Sequence, residues 1–509
     1  MPPKKKSKAA KAADRAAGAP DGDAGRDRIA ALILAGIVGL VFRGGLANGL
    51  VADDFSLIDH CRPENLGSIL AAFDPWHDTW YYRPITKLVF ALAYALFGTN
   101  AAPYHWVSLL AHAAAVVLVY FVARRAGASV VPSFAGALVF AVHFRQHESV
   151  FWFSAISYPL STSLGLASAL FFRAGLAKRR PGLLAAALAS AAAAMLTKDT
   201  AAVVPVLVAL YGLLFAGEAF SGEASSGEAF AGPSARRTAL RVLPLALVLL
   251  VGVGLQALTV RGRPFARGGA AFSPKGVAES LAFVERSAAL LVPGLDAPAD
   301  SARGAAALLA VALFVAYVLI RRSRLALFGL AWVVLAHLPF YAFVPRMGDL
   351  YLYLPLVGVA LVVVDAAELV AGGASRPILR AASALGLAAL ALWSASRIQA
   401  QAFRWHAAGE IVGGVFAEVK AARPDLARGA TLVLAGLPDR VGGVYAFNNA
   451  VPAALWLAYD DRTLNVVRPQ PGQAADGSAA ARFLYEDGRF YEVDSEGRRR
   501  LLRVFAGAD

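Results

Sequence analysis

The sequence predicts an all-α protein that crosses a membrane many times and ends in a small α/β domain. Hydrophobic residues make up 58% of the 509 residues and charged residues only 17%, a balance far too apolar for a soluble enzyme of this size. The apolar residues lie in long runs. A run of roughly 20 residues is long enough to cross the apolar core of a bilayer. Composition and run length together predict a polytopic helical membrane protein.

Eleven runs qualify as transmembrane helices. The predicted spans lie near residues 29–51, 103–123, 132–146, 150–173, 182–197, 200–216, 241–260, 304–320, 325–343, 350–370 and 378–396. The stretch 84–98 is apolar but short, and we expect it to lie along the membrane interface. Residues 281–293 are equally short. The predicted number of spans is therefore about 11.

The basic residues predict the orientation of the helices. Residues 1–28 predict a disordered basic tail, and because no signal-cleavage pattern follows, the first helix is retained. With this tail in the cytoplasm, the even-numbered spans should end on Lys or Arg clusters. They do so at Arg124 and Arg125, Arg173 to Arg180, Arg236 to Arg241, Arg321 to Arg324, and Arg376 and Arg380. An odd number of spans then puts the C-terminus outside. We expect a bacterial inner (plasma) membrane, so this side is the periplasm.

Two further segments complete the predicted domains. Residues 217–235 repeat Gly-Glu-Ala and predict a flexible cytoplasmic loop within the transmembrane domain 29–396. Residues 397–509 are mixed in polarity, with strand-like runs "ATLVLAG" and "LNVVR", and predict a small α/β domain outside the membrane. The single cysteine, Cys61, excludes an intramolecular disulfide. Because the net charge of +14 lies mostly in short loops, it indicates topology and not nucleic-acid binding.

The predicted topology brings polar motifs from distant loops to the outer face. They are the pair Asp53-Asp54 in "LVADDFSLIDH", Tyr82 and Arg83 in "WYYRPITK", His147 and Glu148 in "HFRQHESVFW", Lys198 and Asp199 in "LTKDTA", and Arg346 and Tyr351 in "VPRMGDLYLYLP". A loop with Arg261, Arg263 and Arg267 lies on the same face, against the charge rule. Charged groups at a membrane are costly and mark functional sites. Their shared location is a stronger signal than any single motif.

Each motif also has a structural alternative. Asp53 and Asp54 could simply end a helix, and Tyr82 could belong to an aromatic belt. Lys198 and Asp199 could neutralise each other in a turn. His143 and His147 have the i, i+4 spacing of a metal pair, but a third ligand is not evident.

The order of these motifs resembles the GT-C superfamily of membrane glycosyltransferases, nearest its protein O-mannosyltransferase-like branch. The resemblance covers roughly residues 29–370 and depends on the acidic pair, "YYRP", the His-Glu loop, "LTKDTA" and "LYLYLP". It implies a GT-C-like bundle that takes a sugar from a polyprenyl-phosphate donor on the outer face. The tetratricopeptide repeats of eukaryotic relatives are absent, and Lys198-Asp199 replaces a common Lys-Glu. These departures concern the acceptor more than the reaction.

The resemblance also implies roles for individual residues. Asp53 or Asp54 would be the general base, and Glu148 the second acidic residue. The substrate-binding residues would be Tyr82, Arg83, His147, Lys198, Asp199, Arg346 and Tyr351. Arg261 and Arg263 are added because their positive charge suits a phosphate. Some relatives hold a divalent cation, Mg or Mn, at the acidic pair and others do not, so a metal stays open.

These residue types suit an inverting sugar transfer. A carboxylate can take the proton of an acceptor hydroxyl, and nearby cations stabilise the charge that gathers on a leaving phosphate. We expect a protein, glycan or lipid acceptor, contact with membrane lipids and no nucleic acid. The alternatives are a lipid-linked-glycan transporter or flippase, a polysaccharide polymerase or ligase, and a scaffold without catalysis.

Overall fold

The computed structural model describes residues 23–76, 82–216, 233–259, 302–343, 348–372, 377–469 and 479–505. Within these residues the chain is mainly helical, with one small mixed sheet near the C-terminus. The helices are α1 Ala24–Phe42, α2 Asp53–Cys61, α3 Leu66–Ala71, α4 Pro84–Phe97, α5 Ala101–Arg125, α6 Val130–Val142, α7 His147–Phe151, α8 Ser157–Lys178, α9 Pro181–Thr197, α10 Val204–Phe215, α11 Pro233–Thr259, α12 Ala302–Arg321, α13 Arg324–Phe343, α14 Tyr353–Gly372, α15 Pro377–Ala422 and α16 Val451–Tyr459.

Six described helical segments are long and apolar enough to cross a membrane, which identifies a multi-pass membrane protein. They are Ala24–Ala47, Ala101–Arg125, Phe153–Lys178, Ala239–Thr259, Asp349–Gly372 and Pro377–Ala422. Shorter apolar helices occupy the other five predicted spans and the predicted interfacial stretch 84–98. The full number of crossings stays a prediction. Residues 281–293 and most of the Gly-Glu-Ala loop lie outside the described residues.

Small residues let the helices pack closely. Gly329 on α13 faces Gly358 on α14, and a Cβ added at Gly329 would lie 2.7 Å from the Gly358 carbonyl oxygen. In a membrane, close backbone approach replaces much of the hydrophobic driving force between helices. A larger residue at either position would therefore separate α13 from α14, which leads directly out of the Asp349–Leu352 turn.

Helix α15 joins the membrane bundle to the C-terminal domain. Its 46 residues extend over roughly 70 Å, well beyond the thickness of a bilayer core. Leu385 and Leu392 near its beginning are exposed, as expected for side chains that face lipid, whereas Trp405 and Ile411 are buried. The helix is continuous across residue 397, where the sequence predicts a domain boundary, and the domain limits stay a prediction.

The C-terminal sheet has the strand order β4-β1-β5-β6-β7. Strand β1 lies between β4 and β5 and runs parallel to both, while β5, β6 and β7 are antiparallel. The predicted strand-like runs supply β1 and β4. The strands are β1 Thr431–Ala435, β4 Asn465–Val467, β5 Ala481–Glu486, β6 Arg489–Val493 and β7 Arg499–Val504, with a separate hairpin of β2 Arg440–Val441 and β3 Val444–Tyr445.

Two ion pairs fix this domain to α2. Arg462 Nε lies 3.0 Å from Asp59 Oδ1, and Arg62 Nη1 lies 2.6 Å from Asp460 Oδ1. The first pair is the more sheltered, because the Asp59 side chain is only 9% exposed whereas that of Asp460 is 85% exposed. Both contacts join α2, the helix that begins with the acidic pair, to residues some 400 positions later in the chain.

Candidate active site

The acidic pair lies in the first turn of α2, where a strained residue changes the chain direction. Ala52 is fully buried and has φ 46° and ψ −125°, a conformation that costs a residue with a Cβ of the order of 1–3 kcal/mol. Its backbone N–H donates to the Ala446 carbonyl oxygen at 2.7 Å. Asp53 and Asp54 follow at the helix N-terminus, where the exposed N–H groups favour negative charge.

Asp54 is completely buried and hydrogen-bonded at both oxygens. Its Oδ2 accepts the Val51 N–H at 3.0 Å, and its Oδ1 accepts the Ser154 N–H at 2.7 Å and the Ser154 hydroxyl at 2.6 Å. Burial, with a contribution from the charge of Asp53, raises the pKa of Asp54 to about 7. Asp54 therefore anchors the first loop to the turn Phe153–Ala155.

Asp53 is only half-buried, and its environment differs from that of Asp54. Its Oδ1 accepts a hydrogen bond from the Asn449 amide at 3.1 Å. Burial raises the pKa of Asp53, and the Asn449 bond opposes that rise. Within the described part of the chain, no protein donor bonds the second oxygen of Asp53. Asp53 thus has a free lone pair for a substrate hydroxyl, whereas Asp54 is already occupied.

Glu148 is buried beneath the turn that leads into α14. Its Oε2 accepts the Leu350 N–H at 2.9 Å. A Cβ at position 348 would lie 2.8 Å from the same oxygen, so Gly348 leaves the space that the carboxyl needs. Burial raises the pKa of Glu148, and the neighbouring charge of Asp349 raises it further.

Asp349 is held by two side chains of the His-Glu loop. Arg145 Nη1 lies 2.8 Å from Asp349 Oδ1, and His147 Nε2 lies 3.2 Å from Asp349 Oδ2. The Trp405 indole N–H donates to His147 Nδ1 at 3.2 Å. Because an indole nitrogen only donates, Nδ1 accepts, and Nε2 carries the proton that it donates to Asp349. The contacts therefore define one tautomer for His147.

A cluster of Arg83, Lys198 and Asp199 lies near the turn between α9 and α10. Arg83 Nη2 lies 2.9 Å from Asp199 Oδ1, and Lys198 Nζ lies 3.4 Å from the same oxygen. The Lys198 ammonium also lies over the Tyr158 ring, 4.6 Å from its centroid. Burial, with repulsion from Arg83, lowers the pKa of Lys198 to about 7. Lys198 and Asp199 are thus not a self-contained pair, since Arg83 shares the carboxylate.

These contacts connect most of the predicted residues into one network. Tyr351 packs edge-on against Tyr158, with ring centroids 6.0 Å apart, and so joins the Lys198 cluster to the Asp349 turn. Tyr82 has a different role, because its hydroxyl donates to the Phe73 carbonyl oxygen at 3.0 Å and holds the first loop. Outside the described residues lie Arg261, Arg263 and Arg346.

Sequence reasoning missed three residues that build the site. Ser154 and Tyr158 follow the His-Glu motif by a few positions, so the motif pointed to their segment but not to their roles. Asn449 belongs to the C-terminal domain, which has no recognisable motif, and nothing in the sequence marks its contact with Asp53.

The described residues do not fit a divalent cation at the acidic pair. Among them, no group of three or more His, Cys, Asp or Glu side chains could hold a metal ion. Mg²⁺ requires about six oxygen ligands, and both Asp54 oxygens already accept protein hydrogen bonds. The two histidines of the predicted pair have different partners, since His147 bonds Asp349 while His143 Nδ1 accepts the Arg145 N–H at 3.3 Å.

Comparison with known proteins identifies a relative of the predicted kind. Over 159 residues, the chain is 32% identical to Protein O-mannosyl-transferase Tmtc1 of Drosophila melanogaster. The sequence match confirms the predicted resemblance. It covers 31% of this chain and 18% of that relative, so the chain spans about a fifth of the relative's length. No family model matches.

Two solved structures align with most of this chain at low sequence identity. ArnT from Cupriavidus metallidurans, bound to undecaprenyl phosphate, has a TM-score of 0.44 at 14% identity, over 89% of this chain and 87% of that chain. The Archaeoglobus fulgidus oligosaccharyltransferase, in complex with Zn and sulfate, has a TM-score of 0.47 at 12% identity, over 93% of this chain and 72% of that chain.

Proposed function

We propose that this protein is an inverting membrane glycosyltransferase that moves a sugar from a polyprenyl phosphate to an acceptor hydroxyl. The observation that carries the proposal is the contrast between two adjacent acids. Asp53 keeps an oxygen free for a substrate, while Asp54 is bonded on both sides and holds the loop in place. The likeness to a protein O-mannosyl-transferase supports the same reaction class and favours a protein hydroxyl as acceptor.

The chemistry follows from this assignment. Asp53 takes the proton of the acceptor hydroxyl while the hydroxyl oxygen bonds to the anomeric carbon from the side opposite the phosphate. The bond between that carbon and the phosphate oxygen breaks, and the polyprenyl phosphate leaves with the electron pair. General-base assistance of this kind contributes typically about 10²–10⁴-fold in rate. Because attack and departure occur on opposite sides, the anomeric configuration inverts.

Arg83 and Lys198 are the cations that would receive the leaving phosphate. They share Asp199, which fixes both side chains in position without neutralising their combined charge. A preorganised cation in a buried site stabilises developing negative charge without reorganising solvent. Arg346 and the loop with Arg261 and Arg263 remain proposed donor-binding residues on the basis of sequence. Glu148 and His147 hold the turn that carries Tyr351, and we assign them the role of positioning this turn.

We propose that the site lies on the outer face of a bacterial inner membrane, with the N-terminus in the cytoplasm, about 11 spans, and the C-terminal domain in the periplasm. The single cysteine offers a test, because Cys61 ends the same helix that begins with Asp53. A membrane-impermeant maleimide should label Cys61 in intact spheroplasts. Labelling only in inside-out vesicles would reverse the orientation.

The activity itself can be tested with purified protein in nanodiscs. Polyprenyl-phosphate mannose with a radiolabelled sugar is supplied together with peptides rich in Ser and Thr. We expect label on the peptide, release of polyprenyl phosphate, and an inverted anomeric centre by NMR. Movement of intact donor across a vesicle membrane, with no cleavage of any polyprenyl-phosphate hexose, would instead indicate a flippase. Label on a glycan but never on peptide would indicate a polysaccharide polymerase or ligase.

A further inference from the structure

The acidic pair is held from two sides, and one of them is the C-terminal domain. The segment Asp439–Ala450 contains the β2–β3 hairpin and reaches the beginning of α2. The Ala446 carbonyl oxygen accepts the N–H of the strained Ala52, and the Asn449 carbonyl oxygen accepts the Ser56 hydroxyl. Two backbone oxygens of one short segment thus fix the residues on either side of Asp53.

The side chain of Asn449 makes the contact that reaches the proposed base. Its Nδ2 donates to Asp53 Oδ1 at 3.1 Å. Asn449 has φ 56°, in the left-handed region that Asn and Gly enter more readily than other residues. Because a carboxylate only accepts hydrogen bonds, the contact also settles which amide atom faces Asp53. Backbone conformation and side-chain chemistry both suit asparagine at this position.

A stack of side chains packs the β2–β3 hairpin against the membrane bundle. The Arg440 guanidinium lies 4.0 Å from the centroid of the Tyr445 ring, and the Tyr445 ring lies 4.9 Å from that of Trp152. Trp152 packs in turn against Trp405, 6.3 Å away. Trp152 lies between Glu148 and Ser154 in the sequence. The stack therefore packs the hairpin against the same loop that holds Asp54.

We propose that the C-terminal domain completes the active site, and that Asn449 is the positioning residue of the base Asp53. The inference rests on the proposed function and adds a part of the chain that no motif assigns to it. By holding Oδ1, the amide leaves the other oxygen of Asp53 turned toward an acceptor hydroxyl. The transferase domain without this segment would keep its cations but lose the orientation of its base.

The charged groups around Asp53 influence its pKa and therefore the pH dependence of the reaction rate. On its own helix stands Asp54, whose charge repels that of Asp53. Two nearby arginines form ion pairs with other acids: Arg462 bonds Asp59, and Arg62, at the end of the same helix, bonds Asp460. The Asn449 amide favours the ionised form of Asp53. Removing it should therefore raise the pKa of Asp53 and move the acid limb of the rate profile to higher pH.

Asn449→Gly is the sharpest test, because glycine keeps the left-handed backbone and the carbonyl that accepts from Ser56. We expect kcat to fall about ten-fold, the scale of a hydrogen bond to a charged group, with donor KM within about two-fold of wild type. The acid limb should move to higher pH. Asn449→Asp, a second variant of the same size, should move it further because it adds a like charge. Asn465→Ala is the matched control, since that exposed side-chain amide bonds Thr431 Oγ1 in the same domain.

The outcomes separate this inference from the proposed function. If Asp53→Asn abolishes transfer while Asn449→Gly and Asn449→Asp keep wild-type kcat and pH profile, Asn449 does not position the base. If Asp53→Asn itself transfers sugar normally, the base and its positioning residue are both wrong. A loss of transfer that is equal in Asn449→Gly and Asn465→Ala would indicate general damage to the domain and would also overturn the inference.

Discussion

The proposed site contains two groups of carboxylates, and they differ in what holds them. Asp53 and Asp54 at the start of α2 receive hydrogen bonds from uncharged groups: a side-chain amide, two backbone N–H groups and a hydroxyl. Asp199 is held by two cations, Arg83 and Lys198, and Asp349 is held by the Arg145 guanidinium and the His147 imidazole N–H.

The difference separates chemistry from architecture. A carboxylate paired with a cation is stabilised as an anion and is a poor proton acceptor, because protonation would leave the cation without a counter-charge. A carboxylate that is buried among neutral donors holds a proton more readily, and both acids of the first loop have a raised pKa. The first group can therefore take a proton in a reaction, while the second orients the cations.

The largest effect is expected from Asp53→Asn. Loss of the base should lower kcat by about 100-fold or more, with normal insertion into the membrane. Asp349→Asn should lower it less, because that carboxylate positions Arg145 and His147 but takes no proton. Both variants can be measured with the labelled-peptide assay at saturating donor. A greater loss in Asp349→Asn than in Asp53→Asn would reverse the comparison.

A smaller effect is expected from the cations. Lys198→Met combined with Arg83→Gln should raise donor KM by about ten-fold or more, because charge-assisted contacts to the phosphate are lost. Arg321→Gln is the matched control, since Arg321 pairs with Asp365 between α12 and α14, away from this network. Unchanged donor KM and kcat in the double variant would exclude both cations from donor binding.

The pH dependence of donor binding follows from Lys198. In the free enzyme its pKa lies near 7, so the ammonium loses its proton as pH rises through that value. Donor KM should therefore increase between about pH 7 and 9. Lys198→Arg keeps the charge throughout and should flatten this increase. A donor KM that rises equally in wild type and Lys198→Arg would assign the titration to another group.

The last expected effect is on stability and not on turnover, and it involves Asp54. Its pKa in the folded protein is about 7, above the ordinary aspartate value of the unfolded chain. The folded state therefore binds the proton more tightly, and the associated stability is complete at low pH and lost as pH rises from about 4 to 7. The loss is on the order of 4 kcal/mol. Asp54→Asn should be less sensitive to pH over this interval in thermal unfolding, whereas an unchanged slope would contradict the burial argument.

The sequence predicted the helices and pointed to several residues of the candidate site for simple physical reasons. Apolar run length located a helix at each predicted span, because a membrane sets the length of a span directly. The acidic pair, Arg83, Lys198 and Glu148 stood out, since charge near a membrane is rare and needs a purpose. The strands β1 and β4 were visible as short apolar runs.

What the sequence could not supply depends on contacts between distant residues. Helix α15 continues to Ala422 because its last turns are buried by the C-terminal domain, although they are less apolar than a membrane span. Asp53 and Asp54 are identical in type, and only the partners Ser154 and Asn449 distinguish them. Those partners lie about 100 and 400 positions away, where no local pattern marks them.

The pH dependence of kcat/KM tests the central claim most directly, measured in parallel for wild type, Asp53→Asn and Asp54→Asn. If Asp53 is the base, wild type should show an acid limb that lies above the ordinary range of an aspartate, because burial raises the pKa of Asp53. Asp54→Asn should keep that limb, and Asp53→Asn should lose it along with most of the rate. The contrary result is an acid limb that persists in Asp53→Asn and disappears in Asp54→Asn, which would make the buried acid the base.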